Sequence, residues 1–122
     1  MRKLYGVVLL TACAFATSQD APAASCEDAA LNFYCTAVTT ALGRATNDKA
    51  LSEGLLTRSA DYAKKADKSG HPKLRDKYYK QGVDAASQST RPVTMKDLID
   101  LCVDVKQAAV KSFLARAALE CK

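Results

Sequence analysis

Tryptophan is absent from this chain, histidine occurs once, and no stretch alternates apolar and polar residues long enough to make a strand. The last absence excludes a sheet-based fold, because a half-buried strand needs a side-chain period of two. The lone histidine, His71, precedes Pro72 in a loop-like segment with no spare cysteine or paired carboxylate beside it. It offers no ligand set for a metal and no oriented partner for a nucleophile, so a solvated loop side chain is the plainer reading. Phosphate-cradling glycine patterns, a nucleophile elbow and internal repeats are missing as well. These absences argue against an enzyme and imply neither catalytic residues, nor a metal, nor a cofactor.

What the chain does have is an exported look. Met1-Arg2-Lys3 is a basic start, and Leu4 to Ala16 is a mainly apolar, uncharged run. That run is too short to span a bilayer but suits the apolar part of a secretory signal. Two exits fit it. Cleavage can follow Ala14-Phe15-Ala16 or Ala21-Pro22-Ala23, or Leu10-Thr11-Ala12-Cys13 can act as a lipobox that leaves Cys13 as a lipidated N-terminus. Residues 1–24 are therefore read as signal peptide or lipoprotein tether, and 25–122 as a single helical domain. Membrane attachment is expected only through such a lipid anchor.

Both exits lead to the same cysteine count. Of five cysteines, Cys13 is removed or lipidated, leaving Cys26, Cys35, Cys102 and Cys121. An even set in an exported chain reads as two disulfides, and a bacterial periplasm suits it better than the cytosol. Roughly 100 residues then remain to form a core, which is modest, so the bridges should matter. Each should contribute about 4 kcal/mol on a chain-entropy basis.

The apolar spacing predicts helices throughout. Ser25-Cys26-Glu27-Asp28 is a cap followed by two acids, and Leu31, Tyr34/Cys35, Val38 and Ala41/Leu42 continue it to Gly43, expected as the C-terminal cap. A second helix starts near Asn47-Asp48, with Leu51, Leu55, Tyr62 and Ala66 inside, Leu56 and Ala63 beside them, and Gly54 marking a close crossing. Pro72 opens a third helix whose inner face is Leu74, Tyr78, Gln81/Gly82 and Ala85. Thr94 to Lys122 contains neither Gly nor Pro and reads as one long helix or two abutting ones, with Thr94 and Asp97 as a capping-box-like start. Its stripe is Leu98, Leu101/Cys102, Val105, Ala109, Phe113, Ala117 and Cys121. The fold class that follows is all-α, a small four-helix bundle-like domain pinned by two disulfides.

Helix geometry limits the pairing. Cys26 and Cys35 are nine residues apart, about 13.5 Å along a helix, and Cys102 and Cys121 are nineteen apart, about 28 Å. An intact helix cannot bridge Cys26 to Cys35, whose Cα atoms would have to lie within about 7 Å. Cys35–Cys102 with Cys26–Cys121 is favoured, a bend near residues 107–110 absorbing the mismatch. Cys26–Cys102 with Cys35–Cys121 stays open.

The net charge of +5 is concentrated between Lys64 and Lys80, where seven cations face two carboxylates, 7 − 2 = +5. In an exported protein such a run points to acidic protein surfaces or anionic envelope polymers, and not to nucleic acid. Lys73, Arg75, Lys77, Tyr78, Tyr79 and Lys80 are the candidate partner-binding residues, since Tyr and basic side chains suit recognition. A solvated helix face would show the same run.

Cys102-Val103-Asp104 followed by Leu114-Ala115-Arg116 resembles the final helical region of the immunity proteins that protect bacteria against type VI secretion amidase effectors. The resemblance implies a periplasmic, dimeric inhibitor that plugs the active-site cleft of a peptidoglycan amidase. The chain departs from that pattern at Lys106-Gln107-Ala108-Ala109, which lacks polar helix-start residues. Two other classes compete with this expectation: an envelope stress chaperone or adaptor, and a structural envelope lipoprotein.

Overall fold

The computed structural model describes residues 25–88 and 92–121, with the side chains of 92–94 excepted. Residues 1–24, where a signal peptide or tether is expected, lie outside them, Cys13 included. The described chain is helical, in the order α1 (Cys26–Ala45), α2 (Lys49–Asp67), a 3-10 turn (Pro72–Leu74), α3 (Arg75–Ser87), α4 (Pro92–Cys102) and α5 (Gln107–Glu120).

The first helix starts where Ser25 caps it, its hydroxyl accepting from the Asp28 amide at 3.2 Å while donating to the Asp28 carboxylate at 2.9 Å. Glu27 and Asp28 sit in the first turn, where the helix dipole favours them. This helix buries Ala29, Ala30, Phe33, Cys35, Val38 and Leu42. These positions spread around more than one face, so α1 is the central element, with α2, α3 and α5 packed around it. Its β-branched threonines are reconciled with the helix by bonding backwards. Thr36 donates to the Asn32 carbonyl at 2.7 Å and Thr39 to the Cys35 carbonyl at 2.6 Å.

The α1–α2 contact is partly polar. Ser59 donates to the Thr36 carbonyl at 3.1 Å and also meets the Thr40 hydroxyl, while Ser52 donates to the Gly43 carbonyl at 2.6 Å. Asp48 caps α2 by accepting from the Leu51 amide at 3.0 Å. On the far side, Tyr62 donates to the Cys102 carbonyl at 2.7 Å, tying α2 to the end of α4.

Both expected disulfides form in the favoured pairing. Cys35 joins Cys102 with Cα atoms 5.3 Å apart, and Cys26 joins Cys121 at 6.0 Å. Together they staple the C-terminal helices to the start and the middle of α1.

Several local expectations are corrected. Gly43 does not end the first helix, which runs on to Ala45; it is buried against Leu56, whose Cδ2 would lie 3.0 Å from an added Cβ. Gly54 marks no crossing, since an added Cβ there would meet nothing within 4 Å. The close crossing falls at Gly82 of α3 instead. Leu51 is 52% exposed and Leu56 lies at the surface too, so the inner face of α2 is Leu55, Ser59 and Ala66, with the expected Tyr62 packed against the core as a partly buried residue. Gln81 is exposed, and Ala86 joins Tyr78 and Gly82 in the core.

The C-terminal stretch also differs from its expectation. The helix begins at Pro92, not Thr94, because a proline suits a first helical position; the Thr94 side chain lies outside the described residues. The bend falls at 103–106, before the expected 107–110, because Cys102 is held by its disulfide and the chain must turn directly after it. Val105 turns it with φ 51° and is 49% exposed, so it leaves the apolar stripe. Lys106 starts α5 without a side-chain cap, as the missing polar start residues imply.

Candidate partner-binding surface

The basic segment begins where α2 stops. Ser69 is buried and donates to the Ala66 carbonyl at 2.6 Å, while its oxygen accepts the His71 amide at 3.3 Å. Gly70, with φ 79°, supplies the left-handed turn that a side chain would resist. Leu74 then donates to the His71 carbonyl at 3.1 Å, closing the 3-10 turn that leads into α3. The loop is therefore anchored by the Ser69 hydroxyl and by its own backbone.

The six candidate residues divide into two groups. Tyr78 faces inward: it is 2% exposed, its ring lies 6.2 Å from that of Phe113, and its hydroxyl donates to the Glu120 carboxylate. Burial, and then the bond to Glu120, push its pKa up to about 12. Lys77 pairs with the same Glu120 at 3.2 Å and lies 5.5 Å from the centroid of the Tyr78 ring. Glu120 is held below the usual carboxylate range, chiefly by the Tyr78 hydrogen bond and then by Lys77. Tyr78 leaves the surface set, and Lys77 is engaged in joining α3 to the end of α5.

Lys73, Arg75, Tyr79 and Lys80 remain outward. Tyr79 is 39% exposed and, with Arg75, Asp76 and Lys80, lines a shallow depression of about 360 Å³. Arg75 lies 3.8 Å from Asp76 and Lys80 3.3 Å from Asp84, both as exposed pairs that cost little to open. The outward group thus presents an aromatic ring among cations on a supported helix face. Tyrosine and basic side chains are residue types common at recognition surfaces.

A second surface was not foreseen. Leu42, Leu51, Leu55, Met95, Ile99 and Val103 line most of an apolar groove of about 430 Å³ between the end of α1, the start of α2 and α4. Leu51 and Leu55 signalled an apolar face. Only the placement of α4 showed that this face is left partly uncovered.

Among the described residues, no group of three or more His, Cys, Asp or Glu side chains is placed to hold a metal, and no helix is long and apolar enough to cross a membrane. The fold and its bridges define a small all-α protein built for an oxidising compartment. No protein family, curated protein or solved structure matches the chain.

Proposed function

We propose that this is an exported inhibitor of the immunity type, which acts in the periplasm by occluding the active-site cleft of a cell-wall amidase. The observation that carries the reading is the outward set of Lys73 in the 3-10 turn and Arg75, Tyr79 and Lys80 on α3, a helix braced from behind by the Tyr78–Glu120 and Lys77–Glu120 contacts. A preorganised surface loses little conformational freedom on docking, so contacts there convert efficiently into affinity. Its positive charge favours rapid capture of an acidic partner surface.

The test is stoichiometric inhibition. The mature protein is mixed with any candidate peptidoglycan amidase encoded beside its gene, and cell-wall hydrolysis is followed; the lack of such an enzyme there counts against the proposal. Full inhibition near one to one supports the proposal, with Lys73→Glu and Arg75→Glu weakening it while leaving the thermal midpoint unchanged. Absence of both binding and inhibition defeats it. Light scattering of the free protein decides the homodimer that the resemblance implies, and the mass of the mature N-terminus decides between a lipidated Cys13 and a cleaved signal.

The apolar groove favours one second reading, an envelope chaperone or adaptor that holds apolar segments of clients. Broad suppression of client aggregation, lost on Leu51→Glu, would select it over a single tight partner.

A further inference from the structure

A cleft of mixed polarity lies between α4 and α5, with Tyr34 of α1 and Ala85 of α3 also lining it. Its volume is about 530 Å³, and its floor is formed by Ala85, Leu98 and Ala109. Asp97 stands on the α4 side, and Ser112 and Arg116, one turn apart, stand on the α5 side. Tyr34 of α1 lies between them, half-buried, with its ring 5.0 Å from that of Phe113. Tyr34 and Arg116 also line an adjoining cavity of about 160 Å³.

The charges of this cleft are unevenly satisfied. Asp100 on its rim is held by Lys96 at 2.7 Å and Lys106 at 3.2 Å. Glu120, which is spaced to pair with Arg116 one turn away, is taken by Tyr78 and Lys77 instead. Among the described residues, neither Arg116 nor Asp97 makes an ion pair within 4 Å. Both act on the Tyr34 phenol: burial raises its pKa first, Arg116 opposes that rise, and Asp97 adds to it. The cleft therefore offers a cation on one wall and an anion on the other, with small and apolar side chains between.

We propose that this cleft binds a short zwitterionic peptide, Arg116 taking its carboxylate and Asp97 its amino group. A guanidinium suits a carboxylate because its fork can donate two parallel hydrogen bonds, and the Tyr34 and Ser112 hydroxyls are nearby additional donors. The Ala85, Leu98 and Ala109 floor accepts an apolar side chain. The volume is within the range of small-ligand sites, roughly 300 to 1,000 Å³, and accommodates more than a single amino acid. The assignment is independent of the amidase reading.

The experiment is a titration of the isotopically labelled, oxidised, exported protein with the dipeptide alanyl-leucine, followed by amide chemical shifts. Its C-terminal amide and its N-acetylated form are titrated in parallel. Saturable shifts centred on Tyr34, Ala85, Ser112 and Arg116 are expected with the free dipeptide. Each blocked form should bind about tenfold more weakly or worse, since each loses one charge-assisted contact. Arg116→Gln should weaken the free dipeptide equally while leaving the C-terminal amide unaffected. Asp97→Asn should do the same for the N-acetylated form. Both side chains are exposed, so an unchanged thermal midpoint shows that the fold is intact. Lack of saturable shifts at millimolar dipeptide overturns the proposal. So does binding that is indifferent to either substitution or to either blocked terminus.

Discussion

Gly82 of α3 lies directly against the Tyr34 carbonyl of α1: a Cβ placed on it would stand 2.5 Å from that oxygen and 2.8 Å from the Ala37 Cβ. The two helix backbones approach this closely only because the side chain is missing. Backbone on the far side cannot rotate away as a flexible side chain would. Gly82→Ala should therefore lower stability by about 1 to 3 kcal/mol, the usual range for overpacking. Gly54→Ala, with open space around it, should raise stability by about 0.5 to 1 kcal/mol through helix propensity. Thermal or urea unfolding of the two variants side by side measures both.

The disulfides close loops with sequence separations of 67 and 95 residues. Chain entropy predicts about 4 to 5 kcal/mol from each, with the longer loop only slightly ahead. Replacing Cys35 and Cys102 together by Ser should cost more than replacing Cys26 and Cys121. The first pair is fully buried in the core, whereas the second is only partly buried at the chain ends. Denaturant unfolding of the two double variants tests the order; equal losses would leave loop entropy as the whole effect.

The Tyr78–Glu120 contact should make stability fall at both ends of the pH scale. The folded pKa of Glu120 is depressed, so its contribution is present above the ordinary value of 4.5 and lost as pH falls through the lower folded value. That of Tyr78 is raised, so its contribution is complete below 10 and lost as pH rises from there through about 12. Tyr78→Phe should shrink the alkaline limb to the part left by Tyr34 and Tyr62, whose pKa values burial also raises, and shrink the Glu120 part of the acid limb to what Lys77 supplies. Unfolding midpoints measured across both limbs, for the protein and this variant, provide the comparison.

Val105 is β-branched and holds φ at 51°, a region in which its Cβ meets backbone. The turn is kept by Lys106, which donates its amide to the Asp100 carbonyl at 2.7 Å and pairs with the Asp100 carboxylate at 3.2 Å. Val105→Gly should remove the strain and raise stability by about 0.5 to 1 kcal/mol, net of the extra freedom of glycine in the unfolded chain. A thermal midpoint lower than that of the parent protein would show that the exposed valine side chain contributes more than its backbone costs.

Helix content, the cap at Ser25, the start of α2 near Asp48, and the favoured cysteine pairing were all legible in the sequence. They depend on local chemistry or on lengths along a helix: a side-chain oxygen at a helix start, apolar residues at three- and four-residue steps, a rise per residue that limits which sulfurs can meet. Tyr78 could be read both as an inner-face residue and as a recognition residue. Its spacing supported the first, and the second came from charge on its neighbours.

Tertiary structure alone decided which glycine lies at a close crossing: spacing placed Gly82 on an inner face, but how near the opposing backbone comes depends on the packing of the two helices. It decided the turn at Val105 as well, where the anchored Cys102 overrides an unbroken helical pattern. It also decided that Glu120 serves Tyr78 and Lys77 and leaves Arg116 open to the cleft beside Asp97. Such choices are made between helices far apart in the chain, where packing and competing partners act and sequence spacing carries no information.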